Sequence, residues 1–179
     1  MQEYYKVDIC GEEVPLPIMD IGEIKIAFFN LHGACNLTEH CAKNLAKLLT
    51  DAEVIITAES KGLQLAHCVS RELNQPFYAV ARKSKKLYMQ DGIASTVKSI
   101  TTAENQTLYL SLHDVQLIKG KKVAIVDDVI STGGSLLGLE DLVKKAGGII
   151  CKKAFVLAEG DAKDRKDIVY LATIPVMKK

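Results

Sequence analysis

One segment constrains the fold of this chain more than any other: residues 123–135, whose sequence is Val-Ala-Ile-Val-Asp-Asp-Val-Ile-Ser-Thr-Gly-Gly-Ser. The four apolar residues that open it are typical of a strand buried on both faces of a sheet. Two carboxylates follow, and a loop of small residues then leads into a helix predicted for residues 135–146. A strand, a polar loop and a helix in this order indicate an α/β fold with a ligand site at the carboxyl end of the strand.

Helical and strand-like patterns follow one another along the rest of the chain. Segments with helical spacing of apolar residues and short apolar runs occur at 38–49, 54–58, 63–73, 77–81, 135–146 and 150–157. This succession predicts an α/β fold with a mostly parallel central sheet flanked by helices. We expect a single domain over residues 1–179, with a small N-terminal hood at 1–33 and an α/β core at 34–179.

Residues 82–120 do not fit a single crossover helix between two strands of such a sheet. They begin with the basic run Arg-Lys-Ser-Lys-Lys and continue with two Thr- and Ser-rich pieces that favour β-structure, 95–100 and 107–112. Long insertions in compact domains are commonly functional lids. We therefore expect a flexible hairpin, the lid, at about residues 84–110.

Composition argues against several classes of protein. The chain has 23 basic and 22 acidic residues, so its net charge of +1 gives no overall positive field for a nucleic-acid backbone. Five cysteines without a CxxC pair argue against structural zinc and a disulfide framework. No apolar run approaches the roughly 20 residues of a membrane span, and the N-terminus is charged. We expect a cytoplasmic protein with no nucleic-acid or membrane partner.

Asp127 and Asp128 lie where the ligand site is expected. Carboxylates at this edge of a sheet can accept hydrogen bonds from the hydroxyls of a sugar or hold a hydrated divalent cation. The loop at 131–135 presents backbone N–H groups and hydroxyls at a helix N-terminus, where the dipole favours an anion. A sugar diol beside a phosphate fits both features. The chain contains neither GxxxxGK[ST] nor GxGxxG, so those two phosphate motifs do not apply.

Two further segments place charged and small residues directly after apolar runs. Residues 58–62, Ala-Glu-Ser-Lys-Gly, follow one apolar run, and residues 81–87, Ala-Arg-Lys-Ser-Lys-Lys-Leu, follow the next. Arg82 offers a bidentate fork of donors, and the lysines offer point charges. Groups of this kind can bind an anion.

Residues 123–135 resemble the ribose-phosphate signature of the type I phosphoribosyltransferase family, and 58–62 and 81–87 resemble its pyrophosphate loop and the basic segment of its adenine and xanthine members. The resemblance implies a Mg²⁺-dependent enzyme of purine salvage, which transfers ribose 5-phosphate from phosphoribosyl pyrophosphate to a free purine, with adenine favoured, and which forms a homodimer. It assigns ribose 5-phosphate binding to Asp127, Asp128, Ser131, Thr132, Gly133, Gly134 and Ser135. It assigns pyrophosphate binding to Glu59, Ser60, Lys61, Gly62, Arg82, Lys83 and Lys86.

The lid departs from the adenine pattern. Where adenine enzymes carry a Ser-Tyr pair and a Leu-Glu-Tyr-Gly run, this chain has residues 94–100 and 102–106, which are nearer to xanthine enzymes. Glu104 is the lid carboxylate able to handle the purine proton, and with Asp127 and Asp128 it completes the candidate catalytic residues. The expected base-binding part of the hood, residues 14–33, matches no purine-specific pattern, so the base stays open.

Three alternatives fit the same residues. They are a xanthine- or hypoxanthine-type phosphoribosyltransferase, a non-catalytic regulatory domain that senses phosphoribosyl pyrophosphate, and an unrelated α/β phosphotransferase or phosphatase that holds metal through the paired aspartates. A sensor would need a protein partner, because the chain has neither a helix-turn-helix region nor a basic surplus. The sequence contains no nucleophile motif, which argues against a phosphotransferase or phosphatase. The final residues, 177–179, are expected to be a solvated end.

Overall fold

The structure is a computed structural model that describes residues 2–98 and 105–178, and within them the chain forms four α-helices and eleven β-strands. The strands are β1 (Tyr4–Ile9), β2 (Glu12–Asp20), β3 (Ile24–Ala27), β4 (Val54–Ala58), β5 (Ala79–Ala81), β6 (Ile93–Lys98), β7 (Asn105–Leu110), β8 (Lys122–Ile130), β9 (Ile149–Glu159), β10 (Val169–Ile174) and β11 (Val176–Lys178). The helices are α1 (Cys35–Ala46), α2 (Leu63–Glu72), α3 (Leu112–Ile118) and α4 (Gly134–Lys145). None of these helices is long and apolar enough to cross a membrane.

Five strands form a parallel central sheet in the order β10-β9-β8-β4-β5. Successive side chains of a strand point to opposite faces, so neighbouring residues enter different cores. Ile55 and Val126 belong to the buried cluster that contains residues of α1 and α2, whereas Ile56 and Ile125 belong to the cluster that contains residues of α3 and α4. The prediction of a mostly parallel sheet flanked by helices is confirmed.

A second sheet is antiparallel and has the order β1-β2-β3-β11. Its last strand comes from the C-terminus, where Met177 and Lys178 pair with Lys25 and Ile24. The prediction that these two C-terminal residues are a solvated end is therefore wrong, because their backbone groups complete the edge of β3. Apolar side chains of β1 and β2 join the same buried cluster as α1 and α2, so the small sheet is packed against the core.

β6 and β7 form an antiparallel hairpin, where the sequence predicted one. Its backbone is joined to the end of β5 by two hydrogen bonds of 2.8 Å between Arg82 and Tyr109. Its side chains pack on α4, where a Cβ built on Gly138 would lie 3.0 Å from Cδ1 of Leu108. Residues 99–104, which include Glu104, lie outside the described residues.

Candidate active site

Four connections of the central sheet meet at one edge of the fold. Because the strands run parallel, the segments that follow β4, β5, β8 and β9 all emerge at their carboxyl ends. These segments are 59–62, 82–86, 131–135 and 160–168. Three of the four are the segments that the sequence selected for anion binding, and the fold brings them together.

Residues 131–135, the phosphate loop, line a cavity of about 260 Å³. The loop lies at the N-terminus of α4, where unpaired backbone N–H groups and the helix dipole favour an anion. Gly133 precedes the helix with a φ of +83°, a left-handed conformation that glycine adopts without steric cost. The full lining is Gln106, Asp127, Val129, Ile130, Ser131, Thr132, Gly133, Gly134, Ser135, Leu136, Leu139 and Phe155.

The paired aspartates lie within β8, which continues to Ile130 rather than ending at Val126. Their side chains therefore diverge. Asp127 lines the cavity beside the phosphate loop, and its Oδ1 accepts a hydrogen bond of 2.9 Å from the N–H of Asp128. The Asp128 side chain is only 5% exposed, and its Oδ2 lies 2.9 Å from Nζ of Lys61. Asp127 thus borders the cavity, whereas Asp128 pairs with Lys61 of the loop after β4.

The environment of Asp127 favours its neutral form. Burial and the neighbouring charge of Asp128 raise the pKa of Asp127 from 3.8 to about 7. A carboxyl group with such a pKa changes its charge near neutral pH. Perturbed carboxyl groups of this kind are concentrated at functional sites.

The loop after β4 approaches the aspartates closely because it contains Gly62. A Cβ built on Gly62 would lie 2.1 Å from Oγ1 of Thr57 and 2.8 Å from Oδ1 of Asp127. No residue with a side chain fits there without displacing the loop. The preceding residue, Lys61, is consequently held beside Asp128, and Ser60 is exposed at the tip of the loop.

Glu59 ties this loop to the basic segment that follows β5. Its Oε2 lies 2.6 Å from Nε of Arg82, and its Oε1 accepts a hydrogen bond of 2.7 Å from the N–H of Lys83. Arg82 also donates through Nη1 to the hydroxyl of Tyr88, at 3.1 Å. The structure does not bring Lys86 to this cluster: Lys86 is exposed and lines a separate groove with Lys85, Leu87 and Gln90.

Several residues at the site were not anticipated from the sequence. Gln106 and Phe155 line the cavity, and Arg165 lies against Gly133. The Phe28 ring, 37% exposed at the end of the small sheet, has its centroid 5.7 Å from Nζ of Lys61. A lone glutamine, phenylalanine or arginine far from a motif carries no sequence signal, so only the fold identifies these residues.

The chain belongs to the phosphoribosyltransferase family, because residues 30–175 match the family model of the phosphoribosyl transferase domain. It is 33% identical over 129 residues to an adenine phosphoribosyltransferase of Methanococcus maripaludis, which covers 71% of this chain and 72% of that protein. It is also 33% identical over 148 residues to a xanthine phosphoribosyltransferase of an Exiguobacterium species, with 78% and 75% covered.

The fold is also that of solved structures in this family. Adenine phosphoribosyltransferase from Thermoanaerobacter pseudethanolicus superposes with a TM-score of 0.67 over 80% of this chain and 84% of that one, at 21% identity. At this identity the superposition supports the fold alone. The α/β fold described above is therefore shared with that structure.

Proposed function

We propose that this protein is a purine phosphoribosyltransferase, of the adenine type, that transfers ribose 5-phosphate from phosphoribosyl pyrophosphate to a free purine and releases pyrophosphate. The observation that carries the proposal is the cavity between Asp127 and the phosphate loop, since it joins a carboxylate for the sugar to a helix N-terminus for the phosphate. The family relationship supports the same reaction.

The 5-phosphate is bound by the phosphate loop in this proposal. Backbone N–H groups of the loop donate to its oxygens, together with the hydroxyls of Ser131, Thr132 and Ser135. Asp127 then lies at the position of the ribose, where an ionised carboxylate accepts hydrogen bonds from vicinal hydroxyls. Gln106, which enters the cavity from β7, is the residue by which the lid hairpin reaches the bound sugar phosphate.

The pyrophosphate is bound between the loop at 59–62 and the basic segment. Lys61 and Arg82 are neutralised in the free protein by Asp128 and Glu59. A pyrophosphate group competes with those carboxylates because it carries more negative charge than either of them. As Lys61 turns to the pyrophosphate, Asp128 is released for the sugar. Substrate binding and exposure of the second aspartate are thus coupled.

The purine is stacked on Phe28 in this proposal. The ring is partly exposed and lies beside Lys61, which also contacts Asp128, so it is next to the loop at 59–62. Aromatic rings bind the flat face of any purine, so Phe28 does not select among bases. Adenine is proposed from the activity named for the Methanococcus relative. The xanthine activity named for the Exiguobacterium relative makes a xanthine-type enzyme the second candidate.

The residues present suit Mg²⁺ bound together with the substrate. Among residues 2–98 and 105–178, no group of three His, Cys, Asp or Glu side chains is arranged to hold a metal ion. Mg²⁺ typically keeps waters and uses one or two carboxylates with phosphate oxygens, and Asp127 and Asp128 supply such carboxylates. The ion would neutralise charge on the leaving pyrophosphate.

The reaction is a displacement at the anomeric carbon of the ribose. Its bond to the pyrophosphate oxygen breaks, the electron pair leaves with pyrophosphate, and a bond forms to a nitrogen of the purine, which loses its proton. No covalent intermediate with the protein is required, so the site acts by positioning and by stabilising charge. Glu104 stays a prediction for the residue that takes this proton, and the homodimer and the cytoplasmic location also stay predictions.

Turnover tests this function directly. The protein is incubated with phosphoribosyl pyrophosphate, Mg²⁺ and adenine, and pyrophosphate and adenosine monophosphate are measured. Formation of both products in equal amounts supports the proposal. Binding of phosphoribosyl pyrophosphate without turnover would instead identify a sensor.

A further inference from the structure

Arg165 lies against the phosphate loop, on the connection between β9 and β10. We propose that Arg165 is a positioning residue for this loop, which it serves by holding Gly133 in its left-handed conformation. The N–H groups of the loop then stay aimed into the cavity. The inference deepens the proposed function and rests on it for the identity of the anion, the 5-phosphate of the substrate.

The contact between Arg165 and Gly133 is the first observation. A Cβ built on Gly133 would lie 2.7 Å from Nη1 of Arg165 and 4.0 Å from its Cζ. The guanidinium group therefore fills the space in which a side chain at position 133 would lie. Since Arg165 is not among the residues that line the cavity, it acts on the ligand through Gly133.

The orientation of the guanidinium group is fixed by Asp167. Nε of Arg165 donates to Oδ1 of Asp167 at 3.0 Å, and Nη2 donates to Oδ2 at 2.7 Å. This bidentate pairing holds the planar group in one direction. The remaining nitrogen, Nη1, is thereby turned toward Gly133.

Asp167 is held in turn by Lys153 of β9, whose Nζ lies 2.7 Å from Oδ2. Lys153 also forms an ion pair with Glu140 of α4, and the side chains of Lys153 and Glu140 are 19% and 14% exposed. Arg165 and Lys153 lower the pKa of Asp167, so the pairing persists at neutral pH. These four residues, the charge cluster, link the β9–β10 connection to the helix that begins at the phosphate loop.

The composition of the charge cluster points to a geometric role. Two cations are paired with two carboxylates, so their formal charges cancel and the cluster provides little net attraction for a phosphate. What it provides is an oriented guanidinium group against Gly133, outside the lining of the cavity. A loop that binds through backbone N–H groups depends on such a contact, because misplacement by about 1 Å can reduce catalysis by about 100-fold.

The test compares Arg165→Lys and Arg165→Ala with the control Lys166→Gln, which removes a charge from the adjacent exposed residue. Dissociation constants are measured for ribose 5-phosphate and for pyrophosphate. We expect the constant for ribose 5-phosphate to rise about 10-fold in Arg165→Lys and about 100-fold in Arg165→Ala. The constant for pyrophosphate should stay within about twofold of the unmodified protein in all three variants.

A ligand-free measurement separates this inference from the proposed function. The N–H of Leu137 donates to the carbonyl of Gly133 at 3.1 Å, so its hydrogen exchange reports on the loop. We expect faster exchange at Leu137 in both Arg165 variants and no change in Lys166→Gln. Unchanged exchange, or equal weakening of both ligands, would overturn the role of Arg165. An unmodified protein that does not bind ribose 5-phosphate would overturn the proposed function instead, while the exchange rates would still decide the role of Arg165.

Discussion

Nζ of Lys61 lies 2.9 Å from Oδ2 of Asp128, and this ion pair joins the loop after β4 to the middle strand of the central sheet. The carboxylate is 5% exposed, whereas the lysine is 43% exposed, so the lysine can leave more easily than the carboxylate can. In the free protein the pair therefore connects the proposed pyrophosphate subsite, which contains Lys61, to the proposed ribose subsite, which contains Asp128. Opening the pair gives Lys61 a new partner in the incoming pyrophosphate but removes the partner of the buried Asp128 carboxylate, so the ribose hydroxyls have to replace Lys61 there.

Lys61→Gln is expected to weaken pyrophosphate binding by about 10- to 100-fold, because a charge-assisted hydrogen bond is lost. It should also lower the free energy of unfolding, because the buried carboxylate of Asp128 loses its partner. Adding Asp128→Asn should restore stability but not pyrophosphate affinity. Lys43→Gln, at an exposed position of α1 outside the proposed site, is the control. Calorimetric titration and thermal unfolding measure both effects, and unchanged pyrophosphate affinity in Lys61→Gln would exclude Lys61 from the subsite.

The raised pKa of Asp127 predicts a specific pH dependence of stability. Between pH 3.8 and about 7 the folded protein keeps a proton on Asp127 that the unfolded chain has lost. The contribution of this group to the free energy of unfolding therefore falls as the pH rises through that window. Asp127→Asn, which does not titrate, should remove this part of the pH dependence.

Carbon-13 NMR of the carboxyl groups tests what raises the pKa of Asp127. The titration midpoint of Asp127 should lie near pH 7 and move to lower pH in Asp128→Asn, because the neighbouring charge is removed. A midpoint near 4 in the unmodified protein would contradict the environment described for Asp127.

The α/β order and the anion-binding segments could be predicted from local sequence alone. Residues 123–126 and Val54–Ala58 are short apolar runs of the length typical of a buried strand, and polar residues follow each of them. Parallel strands then bring those polar residues to one edge. The sequence could therefore place Asp127 and the phosphate loop together before any coordinates were available.

Other elements and contacts were not predicted from the sequence, and the structure shows why. Strand β2 contains Pro15 and Pro17, and prolines argue against a strand in a sequence. Strand β3 pairs only with the last three residues of β2, so neither proline interrupts that pairing. Helix α3 was missed although Ser111 and Asp114 form a capping box before it. The contact of Arg165 with Gly133 joins residues far apart in the chain, and no local pattern encodes it.

Gln106→Glu is expected to weaken ribose 5-phosphate binding by about 10-fold or more. The change keeps the size of the side chain but places a negative charge in the cavity of the phosphate loop. Gln106→Ala should have a smaller effect, because it removes only a neutral hydrogen bond. Gln116→Glu on the exposed side of α3 is the matched control. If both Gln106 variants bind ribose 5-phosphate with the affinity of the Gln116→Glu control, the lid hairpin does not reach the sugar phosphate.

Phe28→Leu is expected to raise the KM for the purine by about 5- to 150-fold, since stacking of a base on an aromatic ring contributes about 1–3 kcal/mol. The KM for phosphoribosyl pyrophosphate should change much less. Phe77→Leu is the control, because that ring is also exposed but contacts His113 instead of the site. Equal KM values for the purine in the two variants would remove Phe28 from the base site.

Steady-state release of pyrophosphate from phosphoribosyl pyrophosphate and Mg²⁺ is the most direct measurement of the proposed reaction, with adenine, xanthine, hypoxanthine, guanine, orotate and uracil as acceptors. We expect a purine nucleotide to form in step with pyrophosphate, with adenine the fastest base. Asp127→Asn should lower kcat/KM about 10- to 150-fold through loss of charge-assisted hydrogen bonds. Absence of turnover with every purine, or turnover with orotate or uracil alone, would contradict the assignment as a purine phosphoribosyltransferase.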